Sequence, residues 1–330
     1  MKNRATEAEM PIPRAEMGGR QVRAWLHNNS IWVMTAILIA FFSIQSEFFL
    51  TSYNISNVLT QATLIGFLAL GLTPLIISGN IDLSVGSVAA LAACLVVLLE
   101  PYGPTVAIGA AIVSGIVVGL VNGFLVEGMG INSFIVTLAM MSGVRGLTFL
   151  LVGDVSLSAS DLRYNIVATT MIGPVSTVVL VFTVLAVGIG LALKRTSYGR
   201  NTYAIGGNRD AAVDAGIPVS RDVTVSFVIA GVMSACCGIS MAANLGAAAP
   251  SFATGYELIA IAAVILGGTR LSGGHGFIAG TIAAVLALAI LQNGLNLIGT
   301  SPFIVPVILG VVLVGALVLD RQLQSKKTEG

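Results

Sequence analysis

Three ionisable residues stand inside long apolar runs: Asp82 in SGNIDLSVGS, Arg145 in FIVTLAMMSGVRGLTFLLV, and Glu257 at the head of YELIAIAAVILGG. In hydrocarbon such groups are costly, and they pair with one another or with carbonyls, or face water. Each is therefore a candidate for lining a polar pathway. The interruption from Ser78 to Ser87 adds Asn80, Ser84 and Gly86 to Asp82. Unwound backbone at membrane depth survives only where protein or a water-filled cavity satisfies it. Asp82 has two compatible roles here, capping the apolar segment that begins near Ser84 and facing a polar solute. Arg145 is either a gate or a guanidinium bonded to carbonyls or a carboxylate within the bundle. Glu257 suits the pathway or the interface. Asn122, Asn293 and Asn296 complete the polar set inside apolar runs. His275 follows two glycines and reads as a solvated loop residue.

The same inventory is poor in catalytic chemistry. Two histidines leave general acid–base catalysis few candidates, and no Ser/His/Asp set stands out. The four lysines, Lys2, Lys194, Lys326 and Lys327, all lie outside a G-x-x-x-x-G-K-[ST] pattern, so the chain carries no P-loop of its own. Cys94, Cys236 and Cys237 sit in apolar stretches without His or acidic neighbours at ligand spacing, and read as packing residues. No enzyme activity, metal or resident cofactor is expected, and a net charge of +1 gives no reason to expect a nucleic-acid partner.

The elements that must position these residues are membrane helices. Of 330 residues 56% are hydrophobic and only 9% charged, where soluble domains carry about 25% charged residues. The mean hydropathy is +0.95. The apolar runs are continuous rather than alternating, which favours helices over a barrel. The 38 glycines suit backbones that approach closely. The fold class predicted is all-α, a polytopic bundle of about ten transmembrane helices with broken helices near the midplane. The spans fall near 31–50, 57–78, 84–100, 104–126, 132–152, 173–193, 223–246, 256–270, 276–298 and 303–319. Residues 1–30 form a basic tail, 31–320 the membrane domain, and 321–330 a second tail. The first run is of spanning length with no small-residue cleavage pattern after it, so it reads as a span rather than a signal peptide. An even number of spans separates each pair of basic segments, namely the first tail, the loop 194–222 and the end bearing Arg321, Lys326 and Lys327. All three then lie on one side, the cytoplasmic one, as positive-inside sorting requires. The longest loop on the other side, 153–172, has one basic residue, Arg163.

The loop 194–222 is the one long polar interval between apolar blocks. It encodes a short helix marked at both ends. Asn208 supplies an N-cap, Asp210 sits at the positive pole, Gly216 supplies a left-handed exit and Pro218 prevents continuation. A capped helix on a loop between spans is suited to contact with another molecule. A weak repeat is also present: GNIDLSVG at 79–86 and GGTRLSGG at 267–274, each followed by Asn-Gly (122–123; 293–294) and by Phe-Ile-Val (134–136; 303–305). A duplicated transport fold with its pathway between halves would produce such a pattern.

Taken together, GNIDLSVGS, the FIVTL run through Arg145-Gly146, GRNTYAIGGNRDAAVDAGI at 199–217, GYELIAIAAVILGGTRLSGG at 255–274 and NGLNL at 293–297 resemble the permease subunits of bacterial ABC sugar importers of the ribose, xylose and arabinose type. The likeness runs from about residue 31 to 320. Asn80, Ile259 and Arg270 depart from the family's usual residues. The resemblance implies a homodimer of ten-helix subunits in the bacterial inner membrane, with both termini cytoplasmic. It implies an ATPase that binds ATP on the cytoplasmic face, and a periplasmic binding protein that delivers a monosaccharide or other small polar solute. DAAVDAG at 210–216 is similar to the loop motif by which such permeases dock on their ATPase. The residues it designates for docking are Gly199, Arg200, Gly206, Gly207, Asn208, Arg209, Asp210, Ala211, Ala212 and Gly216. Selection would rest on the external protein, so few charged or aromatic side chains are expected along the pathway. The alternatives are a permease for a polyol or nucleoside, a stand-alone secondary transporter using Asp82, Glu257 and Arg145, and, more remotely, an intramembrane enzyme.

Overall fold

The computed structural model describes residues 30–159, 170–172 and 175–301, with scattered residues between 304 and 315. Helices dominate: α1 (Ser30–Gln45), α2 (Ser52–Ile77), α3 (Val85–Leu98), α4 (Pro104–Gly123, prolonged by a π-helical turn Phe124–Gly128), α5 (Ser133–Val152) and α6 (Thr177–Arg195). They continue as α7 (Ser197–Gly207), α8 (Arg209–Asp214), α9 (Val219–Leu245), α10 (Tyr256–Leu266) and α11 (Ile278–Leu297). Strand structure among the described residues is limited to two-residue pieces. Leu157–Ser158 pairs antiparallel with Ala247–Ala248, and Met171–Ile172 with Val175–Ser176. The architecture is an all-α bundle of the membrane type.

Local chemistry sets the helix ends. Thr51 Oγ1 accepts the Asn54 amide at 3.3 Å to open α2, and Asn132 Oδ1 accepts the Phe134 amide at 2.9 Å to open α5. Gly246, at φ 60°, closes α9 in the left-handed conformation. Among the described residues six helices are long and apolar enough to cross a membrane, and three of these are largely buried by the rest of the chain: α2, α9 and α11, at 78%, 72% and 78%. The other three, α4 with its extension, α5 and α6, are 22–28% buried and present most of their surface outward. The chain is thus an inner group of spans flanked by others whose apolar sides are left for lipid or partners.

The inner group is held by close backbone contact. Helix α9 packs on α4, α3 and α2. Along α4 and α9, Gly115 and Gly231 are placed so that a Cβ on either would collide with the other's carbonyl oxygen. Van der Waals contact through small residues is the main source of helix association where both sides are apolar.

Of the ten expected spans, the structure differs in length for three. The segments near 31–50, 84–100 and 256–270 are helical only over Ile31–Gln45, Val85–Leu98 and Tyr256–Leu266. At 1.5 Å per residue the last two are about 21 and 17 Å long, short of a hydrocarbon core of about 30 Å. Each is preceded by non-helical chain, 78–84 and 246–255. More than half of the segment 303–319 lies outside the described residues, as do the tails before residue 30 and after 320 and Arg163. The polar loop 194–222 holds more helix than expected. It contains α7 as well as α8, and α9 begins already at Val219. Thr196 Oγ1 opens α7 by accepting the Gly199 amide at 3.3 Å.

Replacing Gly231 by Leu should separate α4 from α9 and destabilise the purified chain by about 1–3 kcal/mol. Gly188→Ala meets nothing within 4 Å and should leave thermal unfolding in detergent unchanged or slightly raised. Equal unfolding temperatures for wild type and Gly231→Leu would show that the seam carries no such weight.

Candidate functional site

The break between α2 and α3 is a buried polar knot. Asp82, only 2% exposed, uses Oδ1 to accept the Ser84 amide at 2.7 Å and the Ser84 hydroxyl at 2.6 Å. Asn122 of α4 donates from Nδ2 to Asp82 Oδ2 at 3.3 Å and to Ser84 Oγ at 3.1 Å. Asp82 thus caps α3 through an Asx-type turn and anchors it to α4. Ser133 Oγ accepts the Ile81 amide at 3.4 Å, and Thr137 Oγ1 donates to the Ile81 carbonyl at 3.4 Å, so α5 braces the same turn. Asn80 donates to Ser78 Oγ at 3.3 Å. Ser133 and Thr137 escaped the sequence reading. Their only signal was two hydroxyls four residues apart at the start of a span.

Arg145 and Glu257 meet at a second place, around the chain between α9 and α10. Arg145 Nη1 donates to the carbonyls of Pro250 and Phe252, the latter at 2.7 Å. Of the two roles open to it in the sequence, carbonyl binding is the one seen. Glu257 is 8% exposed. Its Oε1 accepts the Gly255 amide at 3.2 Å, while Oε2 is buried without a hydrogen-bond partner among the described residues. Gly86 lies against that carboxylate, so the start of α3 and the start of α10 touch where two half-length helices begin.

The remaining asparagines separate. Asn293 and Asn54 form a reciprocal amide pair at 2.9 and 3.0 Å that ties the far end of α11 to the beginning of α2. Asn54 was not singled out in the sequence, because a single Asn near a helix start looks like a cap. Asn296 is exposed and apart from the others. The repeat is therefore not reproduced in contacts: Asn122 serves its own Gly-rich motif, and Asn293 pairs with a residue 239 positions away. The two Gly-rich motifs do come together. The Gly274 amide donates to the Ile77 carbonyl at 2.9 Å, and Gly206 of α7 fits between the same two groups, where a Cβ would strike both.

The polar loop forms a braced platform. Asn208 Oδ1 accepts the Ala211 amide at 3.0 Å, and Gly216 takes φ 75°, so both caps of α8 form as the sequence indicates. Arg209 forks onto Glu127 at 3.0 and 2.6 Å, which ties α8 to the π-helical turn after α4. That carboxylate holds the Arg209 guanidinium above its ordinary pKa, chiefly through the hydrogen bonds. Asp210, Ala211, Val213, Asp214 and Ala215 are exposed, but Ala212 is 3% exposed and faces the chain itself. Ala212, one of the residues designated for docking, lies on the inner face of α8, at i+3 from Arg209. Val213, 56% exposed, is the apolar residue on the outer one. Gly199 is buried against the backbone of Leu193, and Arg200 lies in a separate cleft beside Lys194, not on α8. Gly207 and Asn208 are exposed at the junction of the two helices. His275 is exposed, as expected, with its ring 6.4 Å from that of Phe277.

Residues 54–317 match the family described as branched-chain amino acid transport system / permease component. The chain belongs to this permease family. It is 40% identical over 297 residues to a ribose import permease protein of Bacillus subtilis strain 168, covering 87% of this chain and 90% of that one. It is 32% identical over 327 residues to an L-arabinose ABC transporter permease protein of Azospirillum brasilense, covering 96% and 95%. It is 32% identical over 302 residues to a D-allose transport system permease protein of Escherichia coli K12, covering 90% and 92%. No solved structure matches. The permease is a multi-pass membrane transport component rather than an enzyme, and its buried polar groups are read in that light. Within the described residues Asp82, Asn122, Arg145 and Glu257 hold irregular backbone in place, which is what a permease with interrupted helices requires.

Arg145→Ala should free the loop it holds. Amide hydrogen exchange across residues 249–256 of the purified permease should quicken by about tenfold, the equivalent of one charged hydrogen bond. Unchanged exchange there would mean that the loop is fixed by other contacts.

Proposed function

We propose that this permease forms the membrane pathway for a monosaccharide, driven by a separate ATPase and fed by a periplasmic binding protein. The near-full-length likeness to ribose, L-arabinose and D-allose permeases supports a pentose- or hexose-like solute. In this reading the chain crosses the bacterial inner membrane ten times, with the three shorter helices and the segment 303–319 as the remaining crossings. Both termini and the platform of α7 and α8 are cytoplasmic. Two copies enclose the pathway, and the chain binds no cofactor of its own. Asn80, Asp82, Ser84, Gly86, Asn122, Arg145, Glu257, Asn293 and Asn296 are the polar residues nearest to such a route. Most are committed to internal bonds, which fits a pathway without a tight solute site.

The observation that carries the ATPase assignment is α8: two turns of helix, capped at both ends, exposed along one face and clamped on the other through Arg209 to Glu127. A rigid body of this kind seats in a cleft of a soluble partner and moves as a unit when the partner closes. Glu127 lies five residues beyond Asn122, which holds Asp82. Movement of α8 is thereby delivered to the end of α4 and to the break before α3. Alternating access follows when paired chains rock about these contacts. A stand-alone carrier would have no use for α8.

Proteoliposomes holding the permease, its ATPase and its binding protein should take up radiolabelled ribose, arabinose or allose only with ATP. Val213→Asp, on the outer face of α8, should lower uptake at least about tenfold while leaving the unfolding temperature unchanged, because it removes a central apolar contact. Uptake by the permease alone down an ion gradient would overturn the proposal in favour of a secondary carrier.

A further inference from the structure

A cleft between the end of α6, the start of α11 and the side of α7 is walled by Leu193, Lys194, Arg200, Tyr203, Phe277 and Ile278. We propose that it is a binding site for an anionic phospholipid, with the phosphate held between Lys194 and Arg200 and one acyl chain along the exposed Phe277 and Ala279.

Depth comes from the helices. Lys194 is in the last turn of the apolar span α6, and Ile278 is the first residue of the apolar span α11. The cleft therefore sits where two spans leave the hydrocarbon, at headgroup level, whichever face that is. Helix α6 is 22% buried, so its sides are open to lipid. Charge comes from two different helices. Lys194 and Arg200 are exposed, converge on the one cleft, and neither has an ion-pair partner among the described residues. Phe277 precedes α11 without a side-chain cap, so the first amides of that 20-residue helix add positive potential at the same spot. The apolar half is supplied by the half-exposed ring of Phe277 and by the exposed Ala279, with Leu193 and Ile278 buried behind them. A cation pair against an apolar wall at a span end matches a phosphate with an acyl chain attached. It is a poorer match for a free anion, which needs no apolar wall, or for an acidic peptide, which would have to enter at the lipid boundary.

Two neighbours sharpen the assignment. Arg195 is exposed at the same helix end but lies outside the cleft, so simple snorkelling of a terminal basic residue does not account for the convergence. The other cleft, around Pro218 to Val225, has Arg221 as its cation, already bonded to Asp222 at 2.9 Å. Nothing in this inference depends on which solute is carried.

The test uses the full-length permease in neutral detergent with phosphatidylglycerol and phosphatidylcholine of matched chains. Native mass spectrometry should show retained phosphatidylglycerol in preference to phosphatidylcholine. Lys194→Gln with Arg200→Gln should reduce retention about tenfold or more, as loss of two basic contacts at a membrane surface predicts, and Arg195→Gln much less. Diazirine-labelled phosphatidylglycerol on the wild-type chain, which needs no variant to fold, should crosslink mainly to peptides spanning 190–203 and 277–279. Equal crosslinking by labelled phosphatidylcholine would overturn the proposal. So would equal losses from Arg195→Gln and the double change, or protection by millimolar inorganic phosphate alone.

Discussion

A chain that unwinds inside a membrane must supply partners for its own amides and carbonyls, and the rest of this structure follows from how that is done between Ile77 and Val85. Lipid offers nothing in return, and each unsatisfied group costs several kcal/mol. Here the Asp82 carboxylate takes the Ser84 amide and hydroxyl, α5 supplies the hydroxyls of Ser133 and Thr137, and α4 supplies the Asn122 amide. Asp82, buried at 2% exposure, thus ties the start of α3 to α4, while α5 holds the adjacent Ile81. The cost of burying it is met by three hydrogen bonds from two residues, Ser84 and Asn122, and Asn122 Oδ1 is left buried without a partner among the described residues.

The second interruption is solved with the opposite charge. Arg145 reaches two carbonyls of the chain before α10, and its charge interacts with Glu257 across the same segment. Because Gly86 has no side chain, Glu257 can lie against the first turn of α3. Both half-length helices therefore start beside one another, each opened by a carboxylate and each braced by α5. Interrupted helices that meet in this way leave polar termini inside the bundle without exposing them to lipid, and in transporters such termini are where polar solutes are handled.

Much of this was legible because membrane sequences are unusually plain. A polar residue inside an apolar run needs a reason, and Asp82, Asn122, Arg145 and Glu257 were all found by that test alone. The caps of α8 were legible because Asn208 and Gly216 act through local bonds, within three residues of themselves. What stayed hidden was long-range. Asn54 meets Asn293 across 239 positions, and nothing near either residue announces the other. Helix α7 was missed because YGRNTYAIGG is rich in glycine and polar residues, and its helix is held by packing of Gly206 and Tyr203 against the 273–276 segment rather than by propensity. The outward side of α8 was not legible at Ala212, because six residues with two alanines carry little amphipathic signal. The expected spans 84–100 and 256–270 run past α3 and α10 at their C-terminal ends, where the turn Glu100–Tyr102 and the glycines Gly267 and Gly268 end the helices.

The platform and the breaks are one mechanical object. Tyr203 donates to the Gly276 carbonyl at 2.7 Å, Gly206 wedges between Ile77 and Gly274, and Arg209 grips Glu127. Along this line α7 touches the ends of both Gly-rich motifs while α8 touches the end of α4. Neither contact involves a flexible linker, since each joins a helix to a glycine turn or to another helix end. A displacement at α8 therefore has no soft element in which to dissipate before it reaches Asn122 and Asp82. Packed interfaces of this kind shift between discrete arrangements rather than bending continuously. That property is what a subunit without an ATPase of its own needs if work done elsewhere is to change which face its pathway opens to.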